Sequence, residues 1–103
     1  MNTMKVTMVR IYCTEGEGVM KGLLARLHDE YRVRGVTVFR GIAGFGASGE
    51  MHSSGLLYLA LDLPEVIEFG DPPSRASEWL PEMAGEFEPG EGVSWGAVWS
   101  WEC

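Results

Sequence analysis

The chain has 103 residues, of which 46% are hydrophobic and 22% are charged, and its net charge is −7. These values are typical of one folded domain, so residues 1–103 are predicted to form a single domain and whole-chain disorder is excluded. The acidic charge argues against nucleic acid and anionic lipid as partners, because both require a basic face. No apolar stretch reaches about 18 residues, so membrane insertion is not expected.

The charges are divided unevenly along the chain. Residues 1–40 carry 7 Lys and Arg against 4 Asp and Glu, whereas the rest carries only Arg75 against 11 acidic residues. An anionic ligand would therefore bind near the N-terminal basic residues or at backbone N–H groups. The first ten residues lack the apolar region and cleavage site of a signal peptide, so a cytoplasmic protein is expected.

The cysteines and histidines do not indicate a metal site. Cys13, Cys103, His28 and His52 have no metal-like spacing, so neither a metal nor another cofactor is expected. No disulfide between Cys13 and Cys103 is expected either. They would end the first and last strands at opposite ends of a sheet, about 30 Å apart.

The N-terminal third predicts a strand followed by a helix. Met4–Cys13 is rich in Val, Ile and Met with apolar residues on both faces, which is typical of a central strand. Thr14 and Glu17 resemble a capping box. A helix follows and ends at Gly35, with Arg32 and Arg34 in its last turn. Its apolar stripe is formed by Met20, Leu23, Leu24, Leu27 and Tyr31.

The middle of the chain predicts two strands around a glycine-rich loop. Val36–Phe39 is the second strand, and residues 40–49 match neither a P-loop nor a dinucleotide fingerprint. Leucines alternate from Leu57 to Leu63 and the apolar pattern resumes at Val66–Phe69. This indicates one extended strand system with Pro64 at an irregularity or an edge.

The C-terminal third predicts a second helix and a final strand. The helix begins with Asp71 or Ser74 as its cap and ends near Gly85, with Pro81 inside. Its inward residues are Ala76, Trp79, Leu80 and Met83. A turn at 88–92 leads into the last strand, on which Val93, Trp95, Ala97, Trp99, Trp101 and Cys103 share one face. The pattern leaves open whether that face is core or subunit interface.

This order of elements predicts an α+β, ferredoxin-like βαββαβ fold, with a four-stranded antiparallel sheet and two helices on one face. The second sheet face would then have no cover within the chain. A tryptophan-rich strand and a first strand that is apolar on both sides therefore favour oligomerisation.

The run Val36–Ser48, with its Gly44-Phe45-Gly46, followed by His52 and Asp62-Leu63-Pro64, resembles the PII-like family called domain of unknown function 190. It is more distantly similar to the PII signalling proteins, whose B-loop matches Gly90-Glu91-Gly92. The resemblance implies a homotrimeric, non-enzymatic regulator. A small effector, such as an adenine nucleotide or a small anion, would bind in clefts between subunits, and the 41–56 loop would act on a membrane or cytosolic target protein.

The resemblance and the local chemistry give one set of candidate ligand-binding residues: Arg40, Gly41, Gly44, Phe45, Gly46, His52, Gly90, Glu91 and Gly92. Arg40 is the best anion-binding candidate, with a surface ion pair to Glu65 or Glu68 as the alternative, and Phe45 is interpreted as a packing anchor. PII proteins carry a Lys where this chain has Val93, and they have a basic tail. We therefore expect weak binding of ATP and preference for a less charged effector.

Two other functions remain open at this point. One is an assembly or interaction module without a ligand. The other is a dimeric α+β-barrel enzyme in which His52 and tryptophans line a cavity, although no carboxylate pair or activated nucleophile is evident. A dimeric mass would favour the enzyme, and a ligand screen would separate the sensor from the module.

Overall fold

The computed structural model describes residues 2–15, 18–45, 49, 51–53, 63–87 and 91–100. The strands are β1 (Thr3–Thr14), β2 (Val36–Arg40), β3 (Ala43–Phe45), β4 (Met51–Ser53), β5 (Pro64–Asp71) and β6 (Gly92–Ser100). The helices are α1 (Val19–Ala25), which continues as a π-helical turn over Arg26–Glu30, and α2 (Pro73–Ala84).

Four strands form an antiparallel sheet in the order β2-β5-β1-β6, and β3 and β4 form a separate two-stranded ribbon. The first strand lies in the centre, paired with β5 on one side and β6 on the other. With α1 before β2 and α2 before β6, this is the ferredoxin-like arrangement, so the predicted fold class is confirmed.

The two helices cover one face of the sheet, and the core lies between them and the central strands. The core residues are Val9, Ile11, Cys13, Leu23, Leu27, Tyr31, Ile67, Phe69, Ala76, Trp79 and Met83. The predicted helix stripes account for the helical members of this list, and Met20 and Leu80 are partly buried beside it. Burial of the helical stripes is therefore confirmed except at Leu24, which is only half-buried and lies outside this cluster.

The predicted ends of the first helix were wrong. Thr14 belongs to β1, and the residue before α1 is Gly18, whose φ of 68° is left-handed. Glu17 lies outside the described residues. At the other end, Arg32 and Arg34 lie beyond the π-helical turn, and Arg32 has a φ of 51°. The Arg75 side chain donates to the carbonyls of Tyr31 and Arg32, which satisfies backbone acceptors at this helix end.

The second helix is preceded by Pro72, without a capping bond from a side chain, so neither Asp71 nor Ser74 acts as the predicted cap. Asp71 is instead buried, and its Oδ2 accepts a hydrogen bond from Trp79 Nε1 at 3.0 Å. Pro81 lies inside α2 as predicted. Pro64 is the first residue of β5, which lies inside the sheet between β2 and β1 rather than at an edge, and the predicted strand over Leu57–Asp62 lies outside the described residues.

The tryptophans of β6 face away from the helices. Register pairs Trp95 with Met8 and Trp99 with Met4, and paired residues share a sheet face. Val9 points to the opposite, helix-covered side. We call the side away from the helices the open face; it carries Val6, Met8, Arg10, Tyr12, Phe39, Val66, Glu68, Gly70, Val93, Trp95, Ala97 and Trp99. Trp101 lies outside the described residues.

Cys13 is buried. It lies at the end of β1 that meets the start of β6, whereas Ser100 pairs with Thr3 at the other end. Cys103 lies outside the described residues, so the absence of a Cys13–Cys103 bond stays a prediction.

Candidate functional site

Arg40, the strongest anion-binding candidate, ends β2 and is held by a carboxylate that the sequence did not single out. Its Nε and Nη2 donate to Glu15 Oε1 at 3.0 and 2.9 Å. Glu68, one of the two alternatives offered as its partner, is paired instead with Arg10 at 2.6 Å on the open face. Glu65, the other alternative, is the register neighbour of Arg40 on β5.

Glu15 also fixes the segment that leads into β5. Its backbone N–H donates to the Leu63 carbonyl at 3.0 Å, and its Oε1 accepts from the Leu63 N–H at 3.1 Å. One carboxylate oxygen therefore joins the end of β2 to the residue before β5. These are the two points where the chain leaves the sheet towards the 41–56 loop and rejoins it.

Gly41 and Gly44 have a packing role against Pro64. The Gly41 N–H donates to the Pro64 carbonyl at 2.7 Å, and a Cβ on Gly41 would lie 2.8 Å from Pro64 Cγ. A Cβ on Gly44 would lie 3.3 Å from the same atom. Close approach to a rigid ring therefore explains both glycines without a ligand.

The β3–β4 ribbon carries two further candidates. Gly44 pairs with His52 and Phe45 with Met51 across the ribbon. Phe45 is 70% exposed, so its interpretation as a packing anchor is wrong for the single chain. Gly46 lies outside the described residues.

The other half of the predicted site lies on the opposite edge of the sheet. Gly92 pairs with Ile11, and the Glu91 carbonyl accepts from the Tyr12 N–H at 2.7 Å. Gly90 lies outside the described residues. This edge is at the same end of the sheet as Arg40, but three strand spacings of about 4.8 Å separate them. The two halves therefore lie about 14 Å apart within one chain.

The surroundings of Arg40 are acidic. Glu65 is only 5% exposed, and burial raises the pKa of its carboxyl, with a further rise from the charge of Glu15 and an opposing effect from Arg40. Among the described residues, no three His, Cys, Asp or Glu side chains are grouped to hold a metal ion. No helix in the same part of the chain is long and apolar enough to cross a membrane.

The model of the DUF190 family, described as "Uncharacterized ACR, COG1993", matches residues 6–94. The chain belongs to the DUF190 family. It is also 34% identical over 91 residues to a UPF0166 protein from Aquifex aeolicus strain VF5, which covers 84% of this chain and 86% of that protein. The resemblance found in the sequence is thereby confirmed.

Solved structures share the fold of this DUF190 chain. CPII from Thiomonas intermedia K12, a nitrogen regulatory PII-like protein bound to ADP, AMP and bicarbonate, matches with a TM-score of 0.66 and 21% identity, over 94% of this chain and 88% of CPII. A protein from Thermus thermophilus described as PII-like signaling matches with a TM-score of 0.62 and 15% identity, over 95% and 90%. The fold is therefore PII-like.

Glu15 is the site residue that sequence reasoning missed. The pattern of Thr14 and Glu17 favours the start of a helix, which would direct Glu15 towards solvent. The antiparallel pairing of β1 with β5 offers the missing signal, because it places Thr14 opposite Pro64 and so brings Glu15 to Leu63.

The Glu65→Gln variant of this DUF190 protein is expected to be more stable than the natural chain at pH 7. A carboxyl whose pKa is higher in the folded than in the unfolded state destabilises the fold where it is ionised. The stabilising effect of the substitution should therefore shrink as the pH falls through the raised pKa, and vanish below the unfolded value. Urea unfolding at pH 7, 5.5 and 4 measures it. A difference that grows towards pH 4 would contradict this assignment.

Proposed function

We propose that this protein is a cytoplasmic, non-enzymatic PII-like regulator. It assembles as a homotrimer, binds a small effector between subunits, and acts through its 41–56 loop on a partner protein. The observation that carries the proposal is the open face, the side of the sheet away from the two helices, on which several large apolar side chains are exposed.

The open face exposes several large apolar side chains. Tyr12, Phe39, Val93 and Trp95 lie on three of its strands and are 39–52% exposed. Isolated exposed apolar residues are ordinary, but a contiguous group on one sheet face is typical of a contact surface. A second copy of the chain offers the same surface, and the resemblance to PII proteins supports three copies.

The division of the candidate ligand residues supports binding between subunits. Arg40 and Gly92 lie on opposite edges of one sheet, about 14 Å apart. A nucleoside monophosphate or a small anion would reach both groups more easily if the two edges belonged to neighbouring chains. The ligands of CPII, which are ADP, AMP and bicarbonate, support an adenine nucleotide or a small anion as the effector class.

The exposure of the loop root supports a role in contacting a partner. Ile42 and Phe45 are large apolar side chains near the start of the 41–56 loop, and both are mostly exposed. A membrane protein or a cytosolic protein could bind them.

Light scattering tests the assembly with two matched variants. Val93→Glu and Val98→Glu each place a carboxylate on β6 opposite a cation of β1, because Val93 faces Arg10 and Val98 faces Lys5. Only Val93 lies on the open face. We expect the natural chain and Val98→Glu to have about three times the 11.4 kDa chain mass. For Val93→Glu, the protein concentration at which half of the trimer dissociates should be about tenfold higher or more, because a carboxylate would enter the apolar contact.

The measured mass and a ligand titration also separate the alternatives. A monomer at micromolar concentration contradicts the proposal, and a dimer would favour the enzyme. Calorimetry with AMP, ADP, ATP and bicarbonate then tests effector binding, with the weakest binding expected for ATP. A trimer that binds none of them would favour an assembly module without a ligand.

A further inference from the structure

We propose that Glu15 competes with the anionic effector for Arg40, and that its charge makes the site discriminate against highly charged effectors. This inference rests on the proposed function, because it concerns the affinity and selectivity of the same site. It assigns a role to a residue that belongs to no recognised ligand-binding motif of the sequence.

The geometry of the Arg40–Glu15 contact is that of a bound anion. One oxygen of Glu15 lies 2.9–3.0 Å from both Nε and Nη2 of Arg40. A phosphate or carboxylate oxygen of an effector would seek the same two donors at the same distances. The two oxygens exclude each other, so an effector that uses this edge of the guanidinium must first displace Glu15.

Displacement of Glu15 carries a further cost. The same oxygen accepts the Leu63 N–H at 3.1 Å, and that bond joins the segment before β5 to the end of β1. The effector must therefore replace both an ion pair and a backbone hydrogen bond. With competition of this kind, the apparent affinity equals the intrinsic affinity multiplied by the fraction of molecules in which Arg40 is available to the ligand.

Charge explains the selectivity. A displaced Glu15 carboxylate stays near the site, because its own backbone N–H is bonded to the Leu63 carbonyl. Its repulsion of the effector grows in proportion to the effector charge. Glu15 therefore disfavours ATP more than ADP, and ADP more than AMP.

The test compares Glu15→Gln with Glu78→Gln. Gln keeps an oxygen that accepts from Leu63 N–H but removes the charge that competes for Arg40. Glu78 is an exposed residue of α2, so its variant makes the same change in net charge elsewhere on the molecule. Calorimetry is carried out with AMP, ADP and ATP on the full chain at fixed salt.

We expect Glu15→Gln to bind ADP about three- to thirtyfold more tightly, with a larger gain for ATP and a smaller gain for AMP. Glu78→Gln should stay within about twofold of the natural chain. In an Arg40→Gln background, Glu15→Gln should give a smaller gain, because competition for Arg40 is gone and only the charge repulsion remains. Amide hydrogen exchange adds a second measurement, which a purely structural role of Glu15 would leave unchanged. Saturation with ADP should speed exchange of the Leu63 amide in the natural chain.

Each outcome bears on the inference. If the natural chain and Glu78→Gln bind ADP and Glu15→Gln binds it no more tightly, competition is overturned while the proposed function stands. Equal gains for AMP and ATP would overturn the charge selectivity. If no variant binds any nucleotide, the inference and the effector part of the proposed function fall together, and the mass measurement still tests assembly. If Glu15→Gln does not fold, Glu15→Asp withdraws the carboxylate by one methylene and should give a smaller gain.

Discussion

Asp71→Ala is expected to lower the free energy of unfolding by about 2–4 kcal/mol, one of the two largest effects predicted for this chain. Asp71 is buried, and its Oδ2 accepts from Trp79 Nε1 at 3.0 Å and lies 3.3 Å from Arg75 Nε. Loss of the carboxylate leaves a buried indole N–H without its acceptor. Arg75 also loses the anion that holds it against the end of the first helix.

Thermal unfolding at one fixed protein concentration measures this effect, with an expected drop in Tm of roughly 10–20 °C. Asp71→Asn should lose less than Asp71→Ala, because its amide oxygen still accepts from Trp79. Glu78→Gln, on the exposed side of α2, should change stability by less than about 0.5 kcal/mol. Equal losses for the Ala and Asn variants would show that the hydrogen bond to Trp79 contributes nothing.

Periodicity predicted the elements that pack locally. The spacing of Leu23, Leu27 and Tyr31 fits one helical stripe, and all three are buried. The strict alternation on β6 likewise fits its register with β1. These features depend on neighbours a few residues apart, which a single sequence displays directly.

Alternation alone could not decide which side of β6 is covered. It places Trp95 and Trp99 together but is the same for either face. Val9 and Ile11 on β1 settle the question, because their side chains belong to the core under the helices. Met4 and Met8 point to the other side, and they are paired with the tryptophans.

The contacts of the candidate site could not be predicted from the sequence, because the contacting residues are far apart along the chain. Glu15 and Leu63 lie 48 positions apart, and Arg40 lies 25 positions from Glu15. No local pattern connects them. The role of Gly41 as a ligand contact stays a prediction, and in the structure its backbone N–H donates to the carbonyl of Pro64, more than twenty residues away.

Close approach of residues distant in sequence also explains the glycine at position 70 of β5, on the open face. A Cβ added there would lie 2.7 Å from Met8 Sδ, 2.8 Å from the Trp99 ring and 2.9 Å from Val6 Cγ2. The methionine can move, but Val6 is fully buried and the indole ring is rigid. Three atoms this close leave a methyl group no space.

Gly70→Ala is therefore expected to lower the free energy of unfolding by about 1–3 kcal/mol, as overpacking does in other cores. Gly96→Ala is the matched control, because a Cβ on this β6 glycine meets nothing within 4 Å. It should be neutral or stabilise by up to about 1 kcal/mol, since alanine loses less backbone entropy in a strand. Urea unfolding of both variants measures the difference.

Because Trp99 and Met8 belong to the open face, Gly70→Ala should also weaken self-association in light scattering, and Gly96→Ala should not. Equal stabilities of the two variants would mean that the Trp99 ring is not seated over Gly70.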